Sequence, residues 1–186
     1  MRTGEYHVSH LAERLTKQLM PKHLYLFRHA EATAKGSRQE DKSRELAQSG
    51  IKESLHMGAW FREQNFQFDL IISSSAVRAE QTASLAIEGM KRENAKILLE
   101  DVLYEASVRQ FLDYINNIED VYHHVLIVGH NPVISYLGEY LTKADVGQMA
   151  TGGVSIIKFE SDSWKNVGEA TGQLVRYVSP EEIAPF

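Results

Sequence analysis

Short apolar runs alternate along this chain with longer stretches of helical period. The first run is His23-Leu24-Tyr25-Leu26-Phe27, with the composition and length of a strand. It stops at Arg28-His29-Ala30-Glu31, and a polar stretch from Thr33 to Glu45 reads as a long loop. From Gln48 to Glu63 the period turns helical, with Ile51, Leu55 and Ala59 on one stripe. Asp69 to Ser73 is a second buried-strand candidate. It runs into Ser74-Ser75 and a helix from about Ala76 to Glu88, closed by Gly89. Lys96 to Leu99 is a short strand, and Ser107 can cap a helix covering about Val108 to Ile118.

The third strong strand is His124 to Val128, ending at Gly129-His130. Asn131 follows as the predicted N-cap and Pro132 as the first residue of a helix running to about Leu141. Val154 to Phe159 and Gln173 to Val178 are two further strands, close enough in sequence to pair antiparallel. Ahead of all this, Leu11, Leu15 and Leu19 are spaced four apart, which predicts a helical extension over residues 1–20. Residues 21–186 then form one domain. A repeated strand–helix order closed by a hairpin predicts an α/β fold: a mostly parallel sheet with an antiparallel edge, covered by helices on both faces.

Composition narrows the function classes. The chain has 186 residues, 43% hydrophobic and 24% charged, a globular balance. It has no apolar run long enough to span a bilayer and no apolar signal core near its start. Cysteine is absent, which excludes disulfides and thiolate metal sites and fits a cytoplasmic location. The net charge of -5, with no basic block, argues against nucleic acid as a partner. Any anion site has to be local.

Ligands of open α/β sheets bind at the carboxyl ends of the strands. That rule selects Arg28-His29, the Ser73-Ser74-Ser75…Arg78 segment and Gly129-His130. If the three strands are neighbours, two histidines and two arginines face one pocket. Arginine offers a fork of donors to a phosphoryl group and keeps its charge. Neutral imidazole is a good nucleophile near pH 7, and neighbouring guanidiniums keep it neutral. Fixed positive charge of this kind removes the need for a metal or cofactor. Each residue also has a bland alternative. His29 could pack under a loop, Arg28 and Arg78 could form surface ion pairs, and His130 could cap a turn. Glu105 could be a general acid or a solvated residue before a helix.

Taken together, several segments resemble the histidine phosphatase superfamily, also called phosphoglycerate-mutase-like, and within it the short SixA-type phosphohistidine-phosphatase branch. They are Leu26-Phe27-Arg28-His29-Ala30-Glu31, Asp41…Arg44…Leu46…Gly50, Ser73 to Ala83, Leu103-Tyr104-Glu105-Ala106-Ser107 and Val128-Gly129-His130-Asn131-Pro132. The resemblance spans about Lys22 to Val178. It implies a three-layer α/β/α sandwich with His29 as the phosphorylated nucleophile and Arg28, Arg78 and His130 completing the phosphate pocket. It puts Arg44 near the substrate and Glu105 where many relatives carry an acidic proton donor. The chain departs from the pattern at Ser75, where relatives usually have proline, and at Ala47, where they usually have a Thr or Ser cap. The implied activity is hydrolysis of a phosphorylated protein, phosphohistidine first, or of a small phosphoester. A mutase and a non-catalytic phosphate-recognising module are the alternatives. Oligomeric state is left open by the sequence.

Overall fold

The computed structural model describes residues 20–183 apart from 35, 37–39 and 93. The predicted helix over residues 1–20 falls, but for Met20, outside the described residues. Six strands form one sheet: β1 (Lys22–Arg28), β2 (Leu70–Ser74), β3 (Ile97–Glu100), β4 (His124–Gly129), β5 (Val154–Phe159) and β6 (Gly172–Val178). Their order is β3-β2-β4-β1-β5-β6. β1 pairs parallel with β4, and β2 parallel with β4 and β3, while β5 and β6 run antiparallel. The three strands selected from the sequence are therefore adjacent and point the same way. Arg28 lies beside Gly129 across the β1–β4 pair, and Ser73 beside Val128 across β2–β4. The chain leaves all three strands at one edge of the sheet.

Four helices cover the sheet: α1 (Gln48–Glu63), α2 (Val77–Gly89), α3 (Val108–Asn116) and α4 (Val133–Thr142). Side chains alternate across a strand, so β1 feeds both layers. Tyr25 and Phe27 join Met57, Phe61 and Ala83 under α1 and α2. Leu24 and Leu26 join Phe111, Ile134 and Leu137 under α3 and α4. These two cores, one on each face, give the three-layer α/β/α sandwich.

The element ends show where local rules held. Ser107 caps α3 in a reciprocal capping box with Gln110. Ala47 heads α1 without a side-chain cap, as its departure from the family pattern implies. Two predicted ends are corrected. Asn131 does not cap α4. Pro132 stands at that position, and the Asn131 amide instead donates to the Met149 carbonyl at 3.0 Å and accepts from the Ser135 hydroxyl. Gly89 lies inside the last turn of α2, and Lys91 takes the left-handed conformation beyond it.

Gly89 is a glycine because α1 crosses there. A Cβ on it would come within 2.3 Å of the Leu55 carbonyl oxygen, and one on Gly58 within 2.1 Å of the Ala86 carbonyl oxygen. Backbone meets backbone, so no side chain can yield. This contact seats α2, whose first turn carries Arg78. Replacing Gly58 with Val should lower unfolding free energy by about 3 kcal/mol. Urea denaturation checks this, and a change below about 1 kcal/mol contradicts the packing account.

Candidate active site

His29 follows β1 directly and is largely buried. Its Nδ1 lies 2.7 Å from the Ala30 carbonyl, an acceptor, so Nδ1 carries the proton. The lone pair is left on Nε2, which accepts from Arg78 Nε at 3.2 Å. Burial pushes the His29 pKa down to about 4, and the guanidiniums of Arg78, Arg28 and Arg44 add to the depression against the opposing Ala30 hydrogen bond. The ring is neutral at pH 7.

His130 follows β4, with its ring centroid 5.0 Å from that of His29. Its Nε2 is 2.8 Å from the Ser74 hydroxyl at the end of β2. That hydroxyl also accepts from the Ala76 amide. The other ring nitrogen of His130, Nδ1, is buried with no hydrogen-bond partner among the described residues. Burial, followed by His29 and Arg78, drives the His130 pKa down to about 3. Arg28 donates Nη1 to the Met149 carbonyl at 2.6 Å, while its Nε is likewise buried and unpartnered. Unpaired buried donors are costly. Arg28 Nε and His130 Nδ1, on residues that flank His29, are thus two buried nitrogens with hydrogen-bonding capacity left over.

Arg78 is 6% exposed, and all three of its nitrogens are engaged. Besides His29, it donates Nη1 to the Asp41 carbonyl at 2.7 Å and Nη2 to the Asp41 carboxylate at 2.9 Å. The same carboxylate accepts from Arg44 Nη1 at 2.8 Å and from the Tyr104 hydroxyl at 2.9 Å. Arg44, followed by Tyr104 and Arg78, holds the Asp41 carboxyl far below the usual range. It stays ionised and cannot serve as a proton donor near neutrality. Thr82 ties two site elements together by accepting from the Ala30 amide and donating to the Arg78 carbonyl, at 3.0 Å and 2.6 Å.

His29, Arg28, Arg78 and His130 thus gather at one edge of the sheet. Arg44 joins them through Asp41. Glu105 is exposed and lies on the rim, among the residues that line a cavity beside His130 and Tyr104. Asp41, Tyr104, Ser74 and Thr82 are site residues that the sequence reading passed over. All four stand inside the quoted segments, so position was the signal. Ser75, in place of the usual proline, bonds the Asp101 carboxylate away from the histidines.

The sequence profile of the histidine phosphatase superfamily (branch 1) matches residues 24–113. An uncharacterised Mycobacterium tuberculosis protein is 30% identical over 150 residues, covering 75% of this chain and 91% of its own length. In fold, the chain is similar to a SixA-type structure from Agrobacterium tumefaciens. The TM-score is 0.73 at 24% identity, covering 86% of this chain and 99% of that one. It is also similar to the structure of the protein histidine phosphatase SixA complexed with tungstate. Here the TM-score is 0.72 at 21% identity, with 85% and 97% covered.

The two histidines make a pH prediction. Each has a folded pKa below the ordinary value near 6.5, so the unfolded chain binds more protons in the interval between. Their contribution to stability is complete above pH 6.5 and declines as pH falls toward 4. The slope of unfolding free energy against pH between 5 and 6.5 should shrink by about one proton in His29→Asn. An unchanged slope in urea titrations contradicts burial of a neutral imidazole.

Proposed function

This chain belongs to the histidine phosphatase superfamily, and we propose that it is a phosphatase that passes a phosphoryl group through His29. Membership supports phosphatase chemistry, and the finer assignments are inferences from geometry. The observation that carries them is the pairing of a buried neutral His29, its lone pair on Nε2, with the Arg78 guanidinium 3.2 Å away.

In the first step the Nε2 lone pair forms a bond to phosphorus as the bond to the leaving group breaks in line. Arg28 Nε and His130 Nδ1, the unpartnered nitrogens, take phosphoryl oxygens together with Arg78. Glu105, or water, supplies the proton to the leaving atom. The phosphorylated ring then carries phosphorus on Nε2 and a proton on Nδ1, a cationic imidazole whose proton the Ala30 carbonyl continues to accept. In the second step water attacks phosphorus, the N–P bond breaks, and phosphate leaves with His29 neutral again. Fixed guanidiniums supply the charge that a metal ion supplies in other phosphatases. A fold shared with a SixA structure that binds tungstate, a tetrahedral oxyanion, supports an anion in this pocket. Phosphohistidine on a protein is the first substrate class. A bare oxyanion-binding module is the second reading, favoured by the Asp41 carboxylate that occupies Arg78.

His29→Ala should abolish both turnover of an aryl phosphate and radiolabelling of the chain by labelled phosphodonor. Turnover in the wild type should survive EDTA and stop with vanadate. Arg78→Ala should lower kcat by on the order of 10²- to 10³-fold. A His29→Ala protein that still hydrolyses phosphate esters refutes the nucleophile assignment. A wild type that binds phosphate without turning over any ester favours the binding module.

Asp41 makes a separate prediction. Asn there keeps the Asp41 carbonyl bonded to Arg78 and removes one negative charge. Inorganic phosphate should bind about tenfold more tightly to Asp41→Asn than to the wild type at low salt, by calorimetry. Weaker binding would mean that the carboxylate is needed to hold Arg78 in place.

A further inference from the structure

A cavity of about 340 Å³ opens beside the phosphate seat, where His130 and Tyr104 form its inner wall. The rest of its lining is mainly apolar: Val108 of α3, Pro132, and Val133 and Tyr136 of α4. Tyr104 is fixed there. Its hydroxyl donates to Asp41, and its ring meets that of His130 edge-on at 5.6 Å and 86°. Tyr136 stands at the outer edge, 54% exposed. Among the described residues that line the cavity there is no lysine or arginine, and Glu105 is the sole carboxylic side chain. Lys42 and Arg78 sit against the Tyr104 ring, 5.7 and 5.9 Å from its centroid, and Arg28 and Arg44 act on His29.

We propose that this cavity receives the leaving-group side of the substrate and selects an uncharged, ring-bearing or apolar group over an acidic or polyhydroxylated one. The assignment rests on the reading of His29, Arg28 and Arg78 as the phosphoryl seat. His130 and Tyr104 border both that seat and the cavity, so a group bonded to phosphorus there has this wall beside it. Flat rings gain from Tyr104 and Tyr136 through offset or edge contacts. A carboxylate on the leaving group would lose its water and find no lysine or arginine among the residues that line the cavity. A polyol would leave hydroxyls unpaired where it lies against Val108, Pro132 and Val133, with Ser107 and Asn131 as the neutral polar side chains left to meet it. Val133 and Tyr136 are then specificity residues, placed by the start of α4 immediately after His130.

The test uses the wild-type full chain and non-hydrolysable phosphonates, so it needs no turnover. Binding of benzylphosphonate, methylphosphonate and phosphonoacetate is measured by calorimetry. Benzylphosphonate should bind tighter than methylphosphonate by on the order of tenfold or more, and phosphonoacetate no tighter than methylphosphonate. Val133→Lys should close the first gap and favour phosphonoacetate. Tyr136→Ser, at an exposed site that folding tolerates, should reduce the benzyl advantage on its own. Equal affinities for the three ligands, no binding of benzylphosphonate, or a benzyl advantage that survives both substitutions overturns the assignment. Hydrolysis by His29 is scored in the separate turnover assay, so the cavity can fail while the phosphatase reading stands, and the reverse.

Discussion

A neutral imidazole pressed against a guanidinium is the contact on which the rest of the site depends. In water a histidine beside an arginine would titrate near its usual value. Here burial does most of the work of keeping His29 unprotonated, and Arg78 adds to it. The Ala30 carbonyl fixes the tautomer by taking the Nδ1 proton. With that proton placed, the lone pair has one location, and Arg78 Nε finds it. Every larger feature serves this arrangement. The parallel register of β1, β4 and β2 brings the two histidines and Ser74 to one edge. The glycine-to-backbone crossing of α1 and α2 seats the helix that begins next to Arg78.

Charge around the pair is balanced by Asp41. Three arginines surround two neutral rings, and one carboxylate, shared by Arg78, Arg44 and Tyr104, offsets one of them. The shared carboxylate keeps the guanidiniums from repelling each other and gives the loop after β1 a reason to fold back over the sheet edge. It also means that each Arg78 nitrogen already holds a partner. An incoming anion has to offer Arg78 more than the carboxylate does. A phosphoryl dianion can, because it brings greater charge and three oxygens.

Much of the fold was legible because β1, β2 and β4 are buried on both faces and read as continuous apolar runs, the usual mark of central parallel strands. The strand-end rule then brought Arg28, His29, Arg78 and His130 together without distance information. Helix ends were less legible. Asn131 has the right chemistry for a cap, but the Met149 carbonyl, 18 residues on, competes for its amide and wins. Gly89 reads locally as a helix stop, whereas its role is set by Leu55 on another helix. Asp41 escaped for a related reason. An aspartate in a polar loop looks solvated until tertiary structure lays it across two arginines.

The site is therefore polarised, and the two ends were legible to different degrees. The end proposed to hold phosphate is made of residue types whose chemistry announces itself in sequence. The other end is made of valine, proline and tyrosine, which announce nothing, because the same residues build any core. Only the emergence of α4 directly after His130 places Val133 and Tyr136 on a cavity shared with that histidine rather than on ordinary helix surface. Specificity is hidden in sequence wherever it is written in apolar shape, and recognition of the anion is exposed wherever it is written in charge.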